Sequence, residues 1–102
     1  MSETDSSAAP SGATLTRRLT IVNRRGLHAR AAAKLVTLVE RFGAAVDVSK
    51  DGQDVSARSI MGLMMLGAGQ GSCVEVRADG WDAKEAMDAV AGLIEAGFDE
   101  QD

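Results

Sequence analysis

Residues 26–43, GLHARAAAKLVTLVERFG, carry the strongest structural signal in the chain. From Ala29 to Phe42 the stretch contains neither glycine nor proline and consists mostly of residues that favour helices. Its apolar stripe has the three-to-four spacing of an amphipathic helix and consists of Ala32, Leu35, Val36, Val39 and Phe42. Gly43 follows where a left-handed helix terminator is expected. The stretch therefore predicts a helix with one buried face.

Short segments of alternating polar and apolar residues flank this helix. They lie at residues 15–23 before it and at residues 46–49 and 74–78 after it, and each pattern favours a half-buried strand. Asp51-Gly52 is a typical two-residue turn. Residues 46–49 and the residues after the turn therefore form a predicted hairpin.

Two further helices are predicted later in the chain. Ser59 precedes a short apolar run as its N-cap, and Asp82 precedes the final helix. The order is strand, helix, strand, strand, short helix, strand, helix. It predicts an α+β domain, a four-stranded antiparallel sheet with three helices on one face and water on the other. At this point the order of the strands within the sheet stays open.

Length and composition fit one small domain. The chain has 102 residues, 45% of them apolar and 25% charged. We place the domain at residues 14–98, between a predicted disordered N-terminal tail, residues 1–13, and a short acidic C-terminal tail, residues 99–102. No apolar run is long enough to cross a bilayer and no secretory pattern is present. We expect a cytoplasmic monomer with no membrane insertion.

The scarcity of some residue types excludes several classes of function. With Cys73 as its one cysteine and His28 as its one histidine, the chain cannot form an internal disulfide or a cysteine-based metal cluster. No metal and no cofactor are predicted, and Cys73 is interpreted as a small buried apolar residue. One tryptophan, two phenylalanines and no tyrosine are too few for a nucleic-acid stacking platform. No nucleic-acid partner is expected.

Charge is unevenly distributed along the chain. The net charge is −4, yet residues 14–41 carry seven basic residues against one acidic residue. Residues 75–102 carry nine acidic residues against two basic residues. This asymmetry indicates that the N-terminal half meets an anion or an acidic partner.

His28 stands where such an anion would be bound. Gly26 allows a sharp bend between strand and helix, and His28 then falls at the helix N-terminus, where backbone N–H groups and the helix dipole favour an anion. Arg30 adds a guanidinium group two residues later. The arrangement suits a histidine that carries a phosphoryl group. The alternative is that His28 simply caps the helix and the arginines form a solvated basic patch.

Two motifs in this chain resemble those of a known family. Residues 26–32, GLHARAA, resemble the active-site signature of HPr, the phosphocarrier of the bacterial phosphoenolpyruvate-dependent phosphotransferase system. Residues 57–63, ARSIMGL, resemble its regulatory-serine region. The resemblance covers about residues 15–97. It implies the HPr-like open-faced β-sandwich, four antiparallel strands in the order 1-4-2-3 with three helices on one face.

The resemblance also implies roles for individual residues. His28 matches the histidine that is phosphorylated on Nδ1 by enzyme I and passes the group to an enzyme IIA-type acceptor. Arg30 matches the arginine that assists, and the first helical turn at Ala29 and Ala31 would stabilise the phosphoryl group. Ser59 matches the serine that HPr kinase/phosphorylase modifies in many bacteria. Such a protein is a carrier with a phosphohistidine intermediate rather than an independent enzyme.

Two features bear on the choice of partner. Ala31 stands where the family commonly has proline, and alanine provides a backbone donor that proline lacks. For partner docking we single out Leu27 and Arg25 beside the histidine, together with Met61 and Met64 of the short helix. The other interpretation of these methionines is that they fill the core, and we expect a split between the two.

The sequence leaves two questions about function open. The carrier could serve sugar transport or a regulatory branch such as the nitrogen-related system. The second functional hypothesis is a regulatory binding module that is switched at Ser59 and does not depend on transfer through His28.

Overall fold

The computed structural model describes residues 14–100, so the predicted tail at residues 1–13 and the last two residues lie outside it. The described elements follow the predicted order. They are β1 (Thr14–Thr20), α1 (Ala29–Val39), β2 (Ala45–Lys50), β3 (Gln53–Ser56), α2 (Ile60–Met65), β4 (Cys73–Asp79), α3 (Ala83–Glu95) and a single 3₁₀ turn (Gly97–Asp99).

The four strands form one antiparallel sheet in the order β1-β4-β2-β3. This confirms both the α+β prediction and the order 1-4-2-3 that the resemblance implied. Along β4 every second residue is buried, beginning with Val74, and the residues between them are exposed. One face of the sheet therefore meets the core and the other meets water. The predicted hairpin also forms, with Lys50 opposite Gln53.

The core lies between the sheet and the helices. Its largest fully buried side chains come from all layers of the fold and include Phe98, Ile21, Leu35, Leu63, Ile94, Val39, Val46, Val48, Val74, Val76 and Val90. Across residues 14–100, no helix is long and apolar enough to cross a membrane.

Cys73 does not belong to this core. It lies at the first position of β4, on the side of the strand that also carries Glu75 and Arg77, and it is exposed. The prediction of a buried Cys73 is wrong because the two-residue period of the strand assigns it to the outer face.

Helix α1 ends earlier than predicted. Its last residue is Val39, after which the N–H groups of Arg41 and Phe42 bond three residues back. Gly43 is not left-handed, so the prediction of a glycine terminator is wrong. Arg58 instead provides hydrogen-bond donors for the carbonyl groups at the end of the helix. Its guanidinium donates to three carbonyl groups between residues 39 and 44. They belong to Val39, Phe42 and Ala44, at 3.1, 2.8 and 3.2 Å.

Asp82 precedes the final helix, as predicted, and also holds the segment that follows α1. Rather than capping α3, its buried carboxylate accepts the N–H groups of Gly43 at 2.9 Å and Ala44 at 2.8 Å. It thereby ties the start of α3 to the segment after α1. A Cβ at Gly43 would lie 2.7 Å from Nε1 of the Trp81 indole, so the indole lies against this glycine.

Candidate functional site

The chain bends sharply between β1 and α1. The side-chain amide of Asn23 donates to the carbonyl of Gly26 at 2.9 Å, and the N–H of Leu27 donates to the carbonyl of Ala68 at 2.9 Å. Gly26 has a φ of +66°, and a Cβ there would lie 2.4 Å from the Ala68 oxygen. Only glycine fits both constraints, so this bend depends on Gly26 and delivers His28 to the start of α1.

His28 is the N-cap residue of α1, with extended backbone angles. Its carbonyl accepts the N–H of Ala32 at 2.9 Å, but its side chain makes no capping hydrogen bond. His28 therefore occupies the capping position of α1 but does not cap the helix through its side chain. The first-turn amides have no intrahelical acceptors.

The predicted anion-stabilising residues differ in exposure. Ala29 and Arg30 are exposed, whereas Ala31 has a relative exposure of 0%. Ala29 and Arg30 are thus the exposed residues of the first turn. Ala31 instead contributes its methyl group to the core, because the period of the helix turns this position inward.

The imidazole of His28 contacts a carboxylate that the sequence did not identify. Its side chain is 14% exposed, and its Nε2 is hydrogen-bonded to Oε2 of Glu100. The other oxygen of Glu100 accepts from the side-chain amide of Asn23 at 3.0 Å. These hydrogen bonds, from Asn23 first and from His28 second, hold the pKa of the Glu100 carboxyl below its usual range.

Glu100 is 72 residues from His28 in sequence and was assigned to the acidic tail. Beyond α3 the chain forms a 3₁₀ turn whose central residue, Phe98, is fully buried. The ammonium group of Lys34 in α1 donates to the carbonyl of Phe98 at 2.6 Å. A lone phenylalanine after the helical pattern was the only sequence signal that this segment returns to the core.

The two predicted arginines frame the site. Arg25, on the bend, is exposed and contributes positive charge near Glu100. Arg30, in the first turn of α1, is also exposed, and its guanidinium makes no hydrogen bond or ion pair with another residue of the stretch from 14 to 100. It can therefore turn toward an anion at the helix start.

Ser59 is the N-cap of α2, as predicted, and its Oγ accepts the N–H of Gly62 at 2.9 Å. It does not lie beside His28. Its neighbour Arg58 reaches the C-terminal end of α1, whereas Leu27, beside the histidine, bonds to the segment that follows α2. Ser59 and His28 therefore lie at opposite ends of the α1–α2 pair.

The predicted docking residues are only partly at the surface. Met61 is 69% exposed and Met64 is 40% exposed, and Met65 beside them is exposed as well. We call these three side chains the methionine surface. Core filling in α2 falls to Leu63, so the expected split among the methionines does not occur. Leu27 is only 6% exposed and belongs to the core, so its predicted role in docking is wrong.

Comparison with known proteins gives a consistent result. The family model described as "PTS HPr component phosphorylation site" matches residues 15–96. The chain is 52% identical over 86 residues to the phosphocarrier protein HPr of Cupriavidus necator, covering 84% of this chain and 97% of that protein. It is 43% identical over 86 residues to the phosphocarrier protein NPr of Shewanella violacea, covering 84% and 94%.

A solved structure agrees with these relatives. The crystal structure of HPr from Thermoanaerobacter tengcongensis superposes with a TM-score of 0.81 at 42% identity, covering 85% of this chain and 98% of that one. The similarity in sequence and in fold extends over nearly the whole described domain.

Proposed function

This chain belongs to the HPr family and is a phosphocarrier of the phosphotransferase system, and from that premise we propose that His28 carries the phosphoryl group. The observation that supports this most is the uncapped start of α1. His28 stands at that start, its Nε2 is hydrogen-bonded to Glu100, and two exposed residues, Ala29 and Arg30, follow it. Nδ1 is thus the nitrogen available to a phosphoryl donor.

The reaction we propose is a direct transfer between nitrogens. The lone pair of Nδ1 attacks the phosphorus of phosphorylated enzyme I, the donor P–N bond breaks, and its electron pair returns to the donor ring. The amides of Ala29 and Arg30 and the guanidinium of Arg30 stabilise the phosphoryl oxygens. In the second transfer a nucleophile of an enzyme IIA-type acceptor attacks the phosphorus, the P–N bond to Nδ1 breaks, and its electron pair returns to the ring of His28.

A carrier must be recognised by more than one partner protein. The methionine surface lies on α2, whose following segment contacts the bend before His28. Flexible, polarisable methionine side chains adapt to surfaces of different shape. We therefore assign the docking of both partners to this surface and to Arg25. The predicted monomeric state and cytoplasmic location stay part of the proposal.

Intact-mass measurement tests the transfer. After incubation with phosphoenolpyruvate, Mg²⁺ and enzyme I, the protein should gain one phosphoryl group, and brief mild acid should remove it. His28→Ala should gain none. If the wild-type protein stays unmodified in the presence of an enzyme I that phosphorylates itself, transfer through His28 is wrong.

The acceptor defines the branch in which the carrier works. The curated relatives are named HPr in some cases and NPr in others. Offering the phosphorylated protein to sugar-type and nitrogen-type enzyme IIA acceptors separately should show faster loss of the phosphoryl group to one of them.

Ser59 supports a second, compatible proposal of regulation. The motif around it resembles the family's regulatory serine, and Ser59 caps α2, the helix that carries the methionine surface. A phosphate on Ser59 would add negative charge to this docking region and weaken binding of enzyme I. Incubation with ATP and HPr kinase/phosphorylase should give an acid-stable modification that is absent from Ser59→Ala. If this modification controls a partner in His28→Ala, the regulatory function is independent of transfer.

A further inference from the structure

The contact between Glu100 and His28 is built by several parts of the fold. Asn23, on the bend, binds both the carbonyl of Gly26 and the carboxylate of Glu100. Lys34 holds the carbonyl of Phe98, two residues before that carboxylate. The side chain of Asn23 therefore connects the bend that positions His28 with the segment that positions Glu100.

The backbone before Glu100 adopts a conformation that most residues avoid. Gly97, Phe98 and Asp99 have φ values of +64°, +56° and +60°, and two of these residues are not glycine. Left-handed conformations are costly for side chains such as phenylalanine. Burial of the Phe98 ring compensates for this cost. The result is a tight turn that directs Glu100 back to the imidazole.

The chemistry of the pair defines the tautomer of the ring. The carboxyl of Glu100 has a lowered pKa and is ionised near neutral pH, so it can only accept hydrogen bonds. Nε2 of a neutral His28 must then carry the hydrogen, and Nδ1 must hold the lone pair.

We propose that Glu100 is a positioning residue for phosphoryl transfer, which holds His28 in the Nε2–H tautomer and balances the positive charge that the ring gains. This inference rests on the proposed role of His28. When Nδ1 forms its bond to phosphorus, the Nε2–H bond stays intact, so the ring becomes cationic. The carboxylate beside Nε2 stabilises that cation, and no proton has to leave.

Three variants separate the effect of the hydrogen-bond acceptor at Glu100, the effect of its charge, and the effect of losing any carboxylate in this segment. Glu100→Ala removes both the acceptor and the charge, whereas Glu100→Gln keeps an oxygen that can accept from Nε2–H and removes only the charge. Asp99→Asn is the matched control, because Asp99 is an exposed neighbouring carboxylate and the hydrogen bond of the His28 imidazole goes to Glu100. Thermal unfolding establishes that each variant is folded.

Two measurements are made on each variant. ¹⁵N NMR of the imidazole nitrogens, at a pH where the ring is neutral, reports the tautomer. Rapid-quench phosphorylation by enzyme I reports kcat and KM. Glu100→Ala should show a mixture of tautomers and about a tenfold lower kcat with little change in KM. Glu100→Gln should retain the tautomer but show a reduced kcat, and Asp99→Asn should match the wild type.

Unchanged tautomer populations and unchanged kcat in Glu100→Ala would overturn the proposal. An equal loss of kcat in Asp99→Asn would also overturn it, because the loss would then come from removing any negative charge near the site and not from the contact between Glu100 and His28. Failure of the proposed function looks different: the wild type itself would gain no acid-labile phosphoryl group, and both proposals would fall together.

Discussion

Two helix starts in this molecule have similar extended backbones and opposite designs. His28 begins α1 without a side-chain capping bond, whereas Ser59 begins α2 and caps it through Gly62. The capping hydrogen bond at the start of α2 is formed between two residues that are three positions apart. At the start of α1 the imidazole of His28 is instead held by Glu100, a residue from the far end of the domain, and the first-turn amides have no side-chain cap from His28. A capped start supports structure, and an uncapped one leaves donors for a ligand.

The surroundings of the two starts differ in the same way. A Cβ at Gly62 would lie 3.0 Å from Oγ of Ser59 and 3.1 Å from Cβ of Val55, so the capped turn is tightly packed. At the other start, Ala29 and Arg30 are exposed. Tight local packing and accessible donors therefore occur at different helices of the same small fold.

The most disruptive test converts the open start into a closed one. His28→Ser should abolish acid-labile phosphorylation completely, because no imidazole remains. The variant should stay folded with a melting temperature close to that of the wild type, since a serine hydroxyl can cap α1 and offset the lost contact with Glu100. Intact mass and thermal unfolding check both points. An acid-labile phosphoryl group on this variant would contradict the role of His28.

The next largest effect is expected for Phe98, which anchors the turn that brings Glu100 to the start of α1. Phe98→Ala should lower the free energy of unfolding by about 3 to 5 kcal/mol, because it empties a fully buried site. It should also slow phosphorylation, since the turn that holds Glu100 loses its anchor. Urea unfolding measures the first effect. Phe42→Ala, at a half-buried position, is the control and should cost clearly less.

Sequence reasoning succeeded where the signal is local. The start of α1, the Asp51-Gly52 hairpin and the Ser59 cap each depend on residues within a few positions of one another, and all three are found. Alternation along β4 predicted its two faces, although Cys73 was assigned to the wrong one.

The parts that were missed depend on distant contacts. Glu100 reaches His28 across 72 residues, and Arg58 reaches carbonyls 14 to 19 residues away. No local pattern marks a glutamate near a chain end as the partner of a histidine. The burial of Leu27 was missed for a related reason, because its backbone N–H bonds to Ala68, which comes after α2.

The local support of α2 predicts a smaller and separate effect. Ser59→Ala should lower the free energy of unfolding by about 1 kcal/mol, because the N–H of Gly62 loses its acceptor. Phosphorylation of His28 by enzyme I should be unchanged, as the two starts lie at opposite ends of the helix pair. A large loss of transfer in this variant would show that the two starts are coupled.

Acid should produce the smallest effect. The lowered pKa of Glu100 means that the folded state binds this proton less readily than the unfolded chain. Its contribution to stability is therefore present above the usual glutamate pKa and is lost as pH falls through the lowered value. Melting temperatures of the wild type and Glu100→Gln should differ near neutral pH and converge in acid. A gap that persists unchanged in acid would contradict this.

The tryptophan that lies against Gly43 allows unfolding to be followed separately from the chemistry at His28, because the two lie at opposite ends of α1. Trp81 is the chain's single tryptophan and is 73% exposed. The 11 residues of α1, about 16 Å at 1.5 Å per residue, separate its neighbour Gly43 from His28. Its fluorescence should follow unfolding of the domain and stay silent during phosphoryl exchange. One sample thus offers an optical signal for folding that the chemistry at the other end of the helix does not disturb.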